Sequence, residues 1–149
     1  MTRLLQFAGA LAIAVMALSP VARAADPSDV IDYRQHAMKS LAEQLASLNM
    51  TLQGKAPAEN MVLHAQTLAV VASTALKAFE DKVPGGEAKP DVWAKWDDFS
   101  KKMNELAANT AELAKVAQSG GAAAVQEKLK AGAMTCKGCH DVYRDAAKK

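Results

Sequence analysis

The chain has 149 residues, enough for one domain with a substantial hydrophobic core. Half of the residues are apolar, which excludes an intrinsically disordered protein, and abundant Ala, Leu, Lys and Glu favour helices over strands. The formal net charge is only +2, and no block of basic residues suggests binding to nucleic acid.

The first predicted element is a targeting segment. Arg3 precedes an apolar stretch over residues 4–18, and residues 22–24 form a small-x-small cleavage site. The apolar stretch is shorter than the ~20 residues that a membrane-spanning helix requires, which disfavours an uncleaved anchor. We therefore predict a cleaved signal peptide over residues 1–24, a mature domain over residues 25–149, export to the periplasm, and no membrane association after cleavage.

Glycine and proline residues divide the mature chain into four predicted helices. In each of them, apolar residues recur at alternating steps of three and four, a spacing typical of an amphipathic helix. Asp26 is a predicted N-cap, and Pro27 suits the first helical position. The helices are predicted over residues 26–53, 57–80, 90–119 and 122–147. Four such helices with short connections favour an all-α fold, an antiparallel four-helix bundle.

The last predicted helix carries Cys136, Cys139 and His140. Residues at spacing i, i+3 and i+4 share one helical face. Two thiols at this spacing can add to the two vinyl groups of one porphyrin while the imidazole reaches the iron. Because the chain has only two cysteines, we predict one haem c held by two thioethers, with His140 as the proximal iron ligand and no disulfide.

Other uses of this motif have weaker support. A redox-active Cys-x-x-Cys pair usually lies on a thioredoxin-like βαβ frame, which the pattern lacks. Zinc requires four ligands, whereas the motif offers three, and His36 and His64 show no metal-binding spacing. A disulfide within one helix would close almost no loop and would add little stability.

A Cys-x-x-Cys-His motif at the end of a four-helix chain resembles the class II c-type cytochromes, the cytochrome c prime family. The resemblance covers the whole mature chain and rests on three segments. These are residues 33–38 (YRQHAM), residues 90–93 (PDVW) and residues 136–144 (CKGCHDVYR). The resemblance implies a haem protein that carries electrons or binds a small gas. The sequence shows no nucleophile–base arrangement and no paired carboxylates, so we predict that the protein is not an enzyme.

The resemblance also implies roles for three polar residues. Arg34 and Gln35 match first-helix residues that lie against the haem and its propionates, and a guanidinium suits carboxylate geometry. The alternative for Arg34 is a side chain that extends into solvent. Arg144 matches a basic residue near the proximal face of the haem, and the alternative is a cation favoured by the helix dipole.

Met38 decides between two functions. Its position matches the residue that faces the iron opposite the histidine. We predict that the Met38 sulfur ligates the iron, which gives an electron carrier that cycles between Fe(III) and Fe(II). In the alternative, Met38 only packs over the haem. The iron is then five-coordinate and high-spin, and it binds nitric oxide or carbon monoxide.

The predicted partners follow from these two functions. An electron carrier docks transiently with redox proteins around its haem edge, whereas the alternative requires only small gas ligands. The resemblance also implies a homodimer through the first two helices as one option beside a monomer. Without residues 1–24 the chain has 16 basic and 16 acidic residues. This balance favours neither a positively nor a negatively charged docking patch.

Overall fold

The computed structural model describes residues 25–145, and these form a bundle of four long helices. The helices are α1 (Pro27–Leu52), α2 (Met61–Ala75), α3 (Asp91–Ala94), α4 (Trp96–Ser119) and α5 (Gly121–Tyr143). Short 3-10 segments, Ala58–Asn60 and Leu76–Phe79, extend α2 at both ends. The predicted all-α four-helix fold is confirmed. The predicted signal peptide over residues 1–24 lies outside the described residues.

The start of α1 has the predicted cap. Asp26 is extended, with φ −60° and ψ 138°, and its carboxylate accepts a hydrogen bond from the Ser28 backbone N–H at 2.9 Å. Pro27 occupies the first helical position, where its missing N–H costs nothing. The helix ends at Leu52, and Gly54 then adopts a left-handed φ of +67°, which a residue without Cβ tolerates.

The prediction of one continuous helix over residues 90–119 is wrong. Lys95 leaves the helical region, with φ −120° and ψ 45°, and separates the single turn α3 from α4. The break accompanies a tertiary hydrogen bond, in which the Trp93 indole N–H donates to the Phe79 carbonyl at 2.9 Å. Tertiary packing therefore overrides the local helical preference at this position.

The last helix is also shorter than predicted. It ends at Tyr143, because Arg144 is extended (φ −118°, ψ 131°) and forms an antiparallel bridge with Ala88. The chain therefore leaves α5 soon after the Cys-x-x-Cys-His motif and runs beside the loop that joins α2 to α3.

Two groups of buried side chains form the core. We call the group near the Cys-x-x-Cys-His motif the motif-end cluster; it consists of Ala75, Ala78, Phe79, Val92, Phe99, Met103 and Tyr143. The second group, towards the opposite end, consists of Leu48, Ala65, Leu68, Leu113, Ala117 and Val125. Helix α1 packs mainly on α2, α2 on α4, and α4 on α5, whereas α1 and α5 share few direct contacts.

Candidate haem-attachment site

The three motif residues lie on the last two turns of α5. The Cys136 and Cys139 thiols are half-buried and are not joined in a disulfide. Burial raises the pKa of both thiols. Partial burial, followed by the nearby Arg144 charge, lowers the pKa of His140. The surroundings therefore favour the neutral imidazole, the form that ligates a metal.

Met38 lies at the same end of the bundle as the motif. Its half-buried side chain packs against the motif-end cluster, and so does the Cys139 side chain. Trp93 packs against the same cluster from α3. The fold thus brings a thioether from α1 towards the end of the bundle that holds the thiols of α5. Ligation of iron by Met38 stays a prediction.

The packing of α5 tests whether these residues suit a haem. Of its 23 residues only Val125 and Tyr143 are buried, although the helix carries an apolar stripe. Helices α1 and α5 also share few direct contacts. A flat, largely apolar group bound between them would cover this stripe, and the donor set of two thiols and an imidazole matches haem c. The residues present therefore fit the group.

Arg34 is buried, with 3% of its surface exposed. Its Nη1 donates to the Val83 carbonyl at 3.0 Å and its Nη2 to the Gly85 carbonyl at 2.8 Å. The guanidinium carbon also lies 5.4 Å from the Phe79 ring centroid and 5.2 Å from that of Trp93, which are cation–π distances. The alternative of an Arg34 side chain in solvent is therefore wrong. Contact between Arg34 and a haem propionate stays a prediction.

Gln35 and Arg144 both contact the loop between α2 and α3. Gln35 is exposed, and its Nε2 lies 2.6 Å from the position that a Cβ on Gly86 would take. Arg144 donates from Nε to Glu87 Oε2 at 2.6 Å. Glu87 was not identified from the sequence, because no local pattern links it to a residue 57 positions away. The roles of Gln35 and Arg144 beside the haem stay predictions.

Comparison with known proteins identifies the family to which this chain belongs. The family model described as cytochrome c′ matches residues 29–144. The chain belongs to the cytochrome c′ family. This confirms the resemblance seen in the sequence and the predicted cofactor, since the family binds covalently attached haem c. Attachment of the haem to Cys136 and Cys139, and its ligation by His140, stay predictions.

Individual relatives span almost the whole cytochrome c′ domain. The chain is 31% identical to cytochrome c′ from Rhodospirillum rubrum over 140 residues, which are 89% of this chain and 93% of the relative. It is 34% identical to cytochrome c′ from Rubrivivax gelatinosus over 125 residues, which are 80% of this chain and 96% of the relative.

Solved cytochrome c′ structures share the fold. Cytochrome c prime from Shewanella frigidimarina superposes with a TM-score of 0.75 at 30% identity, over 83% of this chain and 100% of that chain. A nitric oxide complex of a cytochrome c prime mutant from Alcaligenes xylosoxidans has a TM-score of 0.75 at 26% identity, with the same coverage of both chains. A carbon monoxide-bound variant from that organism has a TM-score of 0.74 at 27% identity, over 82% and 98%.

Tyr143 anchors the motif end of α5. It is buried in the motif-end cluster, with its ring edge-on to Phe99 at 5.2 Å. Its hydroxyl also donates to Asp98 Oδ2 at 2.5 Å. Burial and the Asp98 hydrogen bond raise the pKa of Tyr143 to about 12. The contact ties the turn after His140 to α4.

We expect Tyr143→Phe to destabilise the fold by about 1 kcal/mol, the usual contribution of one hydrogen bond. The tyrosine pKa is ~10 in an unfolded chain and about 12 in the folded one. The folded state therefore holds a proton that the unfolded chain releases, and its stability falls as the pH rises from about 10 to about 12. Urea unfolding at several alkaline pH values should show this loss in the wild type and a smaller loss in Tyr143→Phe.

Tyr33→Phe provides the matched control, because Tyr33 is the other tyrosine of the chain and is 58% exposed. It should leave both the stability and its alkaline pH dependence unchanged. An equal pH dependence in the wild type and in Tyr143→Phe would show that the phenol does not cause the alkaline loss.

Proposed function

We propose that the chain is an exported cytochrome c′ that binds nitric oxide or carbon monoxide. In this proposal, one haem is attached to Cys136 and Cys139, His140 ligates the iron, and the opposite face of the iron is open to the gas. The observation that carries the proposal is the match to solved cytochromes c prime in nitric oxide- and carbon monoxide-bound forms. It favours the alternative function considered from the sequence over the Met38-ligated electron carrier.

The side chains around Met38 suit a small, neutral ligand. Met38 and Trp93 both pack against the apolar motif-end cluster. The Trp93 indole N–H is already bonded to the Phe79 carbonyl, so it is not available to bind water or an anion. An apolar lining of this kind admits a neutral diatomic gas, whereas an ion would lose its hydration there. The nearby Arg34 guanidinium already donates to the Val83 and Gly85 carbonyls. No catalytic residue is part of the proposal.

A second candidate function is electron transfer. It is favoured by the place of Met38, whose side chain lies on the same cluster as Cys139. If the Met38 sulfur ligates the iron, the haem has six ligands and exchanges electrons with transient redox partners at its edge. The two functions differ in whether the sixth position is filled by the protein.

Absorption spectra of the purified holoprotein test the proposal. We expect high-spin spectra for both the ferric and the dithionite-reduced protein, and a prompt spectral change when carbon monoxide is added to the reduced form. A low-spin spectrum with no response to carbon monoxide would contradict gas binding and support the electron carrier.

Export is part of the same proposal. The signal-like segment over residues 1–24 lies outside the family match, which begins at residue 29. This agrees with a cleaved leader followed by a haem domain over residues 25–149. In cells that process the leader, the periplasmic protein should begin at Ala25, and a longer N-terminus on that protein would contradict the cleavage site.

The outer face of α1 and α2 suits a homodimer. Leu63 and Val70 are 59% and 66% exposed, and they lie seven residues apart on one face of α2. Met50 on α1 is 47% exposed. The segment Ala58–Phe79 has the length and apolar composition of a membrane-spanning helix. Only a third of its most apolar window is buried in the bundle, so much of this apolar surface faces outwards. Exposed apolar side chains on two neighbouring helices are typical of an interface.

Val70→Glu should weaken the dimer by about tenfold or more, since a charge buried in an apolar interface costs at least ~1.4 kcal/mol. Sedimentation equilibrium of the holoprotein measures the change in dissociation constant. Met134→Glu is the control, because Met134 is 71% exposed on α5 and lies outside this face. A monomeric wild type, or a dimer that both variants leave intact, would contradict this interface.

A further inference from the structure

Residues 83–89 cross the motif end of the bundle, and we call this segment the strap. Its first half lies on α1. Arg34 binds the carbonyls of Val83 and Gly85 at 3.0 and 2.8 Å. A Cβ on Gly86 would lie 2.6 Å from Nε2, the flexible end of the Gln35 side chain, so the strap backbone lies directly against side chains of α1.

The second half of the strap lies on the chain that leaves α5. The Lys89 N–H donates to the Tyr143 carbonyl at 3.0 Å, and the Asp145 N–H donates to the Glu87 carbonyl at 2.8 Å. The Glu87 carboxylate accepts a hydrogen bond from Arg144 Nε at 2.6 Å. These contacts surround the antiparallel bridge between Ala88 and Arg144. Backbone pairing and an ion pair therefore hold this half of the strap to α5.

The strap joins two helices that otherwise have little contact. Helices α1 and α5 share few direct contacts, so their separation at this end is not fixed by direct packing. Met38 lies one turn after Arg34 on α1. His140 lies in the last turn of α5, four residues before Arg144, which follows the helix. The strap is thus attached within one turn of the residue on each side of the proposed haem.

We propose that the strap sets the separation of α1 and α5 at the motif end, and so sets how closely Met38 approaches the iron face opposite His140. Arg34 and Glu87 are then positioning residues: Arg34 acts through the strap on the α1 side, and Glu87 through Arg144 on the α5 side. This inference rests on the proposed gas-binding function and adds to it the element that controls access to the iron.

Gly86→Ala tests the α1 side. Gly86 has φ +61°, and a Cβ there would also lie 3.1 Å from Ile31 Cγ2. Gly54 provides the control, because its φ is +67° and nothing lies within 4 Å of its Cβ position. Alanine therefore adds the same backbone strain at both sites. Only at Gly86 does its Cβ meet α1, where the end of the Gln35 side chain must move and Ile31 must shift by a few tenths of an ångström.

The first readout is the rate of carbon monoxide rebinding after flash photolysis of the reduced holoprotein. We expect Gly86→Ala to rebind about fivefold faster than the wild type, because Met38 is then held less closely over the iron. Gly54→Ala should rebind at the wild-type rate despite a similar loss of stability. Equal rates in the wild type and Gly86→Ala, or the same acceleration in both variants, would overturn the proposal.

Glu87→Gln tests the α5 side and keeps the glycines intact. It removes the charge that holds Arg144, while carbon monoxide, being neutral, does not respond directly to that charge. Glu112→Gln is the control for the loss of one carboxylate charge, because Glu112 pairs with Lys115 within α4, at 3.6 Å, away from the strap. We expect faster rebinding in Glu87→Gln only, and an unchanged rate in Glu87→Gln would count against the proposal.

Hydrogen–deuterium exchange tests the role of the strap in a measurement that involves no gas. In Gly86→Ala holoprotein, amides of residues 31–38 on α1 and of residues 137–143 on α5 should exchange faster than in Gly54→Ala. Faster exchange confined to residues 83–89 would show that the strap is only a local loop and would overturn the proposal. If the wild type bound no carbon monoxide, the proposed function would fail, and the exchange data would still decide the role of the strap.

Discussion

A chain that carries both Cys136→Ser and Cys139→Ser is expected to lose all of its haem to acidified acetone, whereas the wild type retains it in the protein fraction. Thioether bonds survive denaturation, while an iron–imidazole bond does not, so covalent attachment depends on the two sulfurs. Intact-mass spectrometry of the denatured protein gives the same result directly, as the presence or absence of one haem on the chain.

Single variants sharpen this test. Cys136→Ser and Cys139→Ser should each keep one thioether and therefore keep haem in the protein fraction. Thr135→Ala alters a neighbouring half-buried side chain of α5, and it should leave attachment unchanged. If haem stays covalently bound in the double variant, the assignment of these two cysteines is wrong.

The same double variant reports on the fold. Only Val125 and Tyr143 of α5 are buried by the protein itself, so the remaining contacts of this helix depend on what binds along its stripe. A ligand that binds only the folded state stabilises it. Amide exchange in α5 should therefore be faster in the haem-free variant than in the wild type, while α2 and α4, which pack on each other, change less.

Much of the fold could be predicted from local patterns. The start of α1 followed from Asp26 and Pro27, and the apolar periodicity predicted the number of long helices. The break at Lys95 could not be predicted in this way. Asp91 and Lys95 have the i,i+4 spacing that favours a continuous helix, and their side chains do pair at 2.7 Å. The break accompanies contacts distant in sequence, such as the Trp93–Phe79 hydrogen bond.

The candidate site likewise contains residues that a local pattern predicts and residues whose contacts are distant in sequence. Cys136, Cys139 and His140 form a short motif whose spacing is readable from the sequence alone. Arg34 was identified through the family resemblance, but its carbonyl partners lie 49 and 51 residues away, and backbone carbonyls leave no sequence signal. Glu87 was missed for a related reason, because one exposed carboxylate in a loop looks like any other solvated charge.

Met38→Ala should accelerate carbon monoxide binding to the reduced protein by about tenfold, which corresponds to a barrier lower by ~1.4 kcal/mol. Met38 is half-buried against the motif-end cluster, and its removal opens space over the iron face that the proposal assigns to the gas. The spectrum before carbon monoxide is added should stay high-spin. Stopped-flow mixing with carbon monoxide gives the rate. Met50→Ala is the control, since Met50 is exposed on the same helix.

Met38→Leu separates the two candidate functions, because leucine keeps most of the bulk of methionine but has no sulfur to ligate iron. If Met38 only packs over the haem, the leucine variant should bind carbon monoxide at nearly the wild-type rate, and only alanine should accelerate it. If Met38 ligates the iron, the wild type is low-spin, and both variants become high-spin and open to gas. The leucine variant thus distinguishes the size of the side chain from its chemistry.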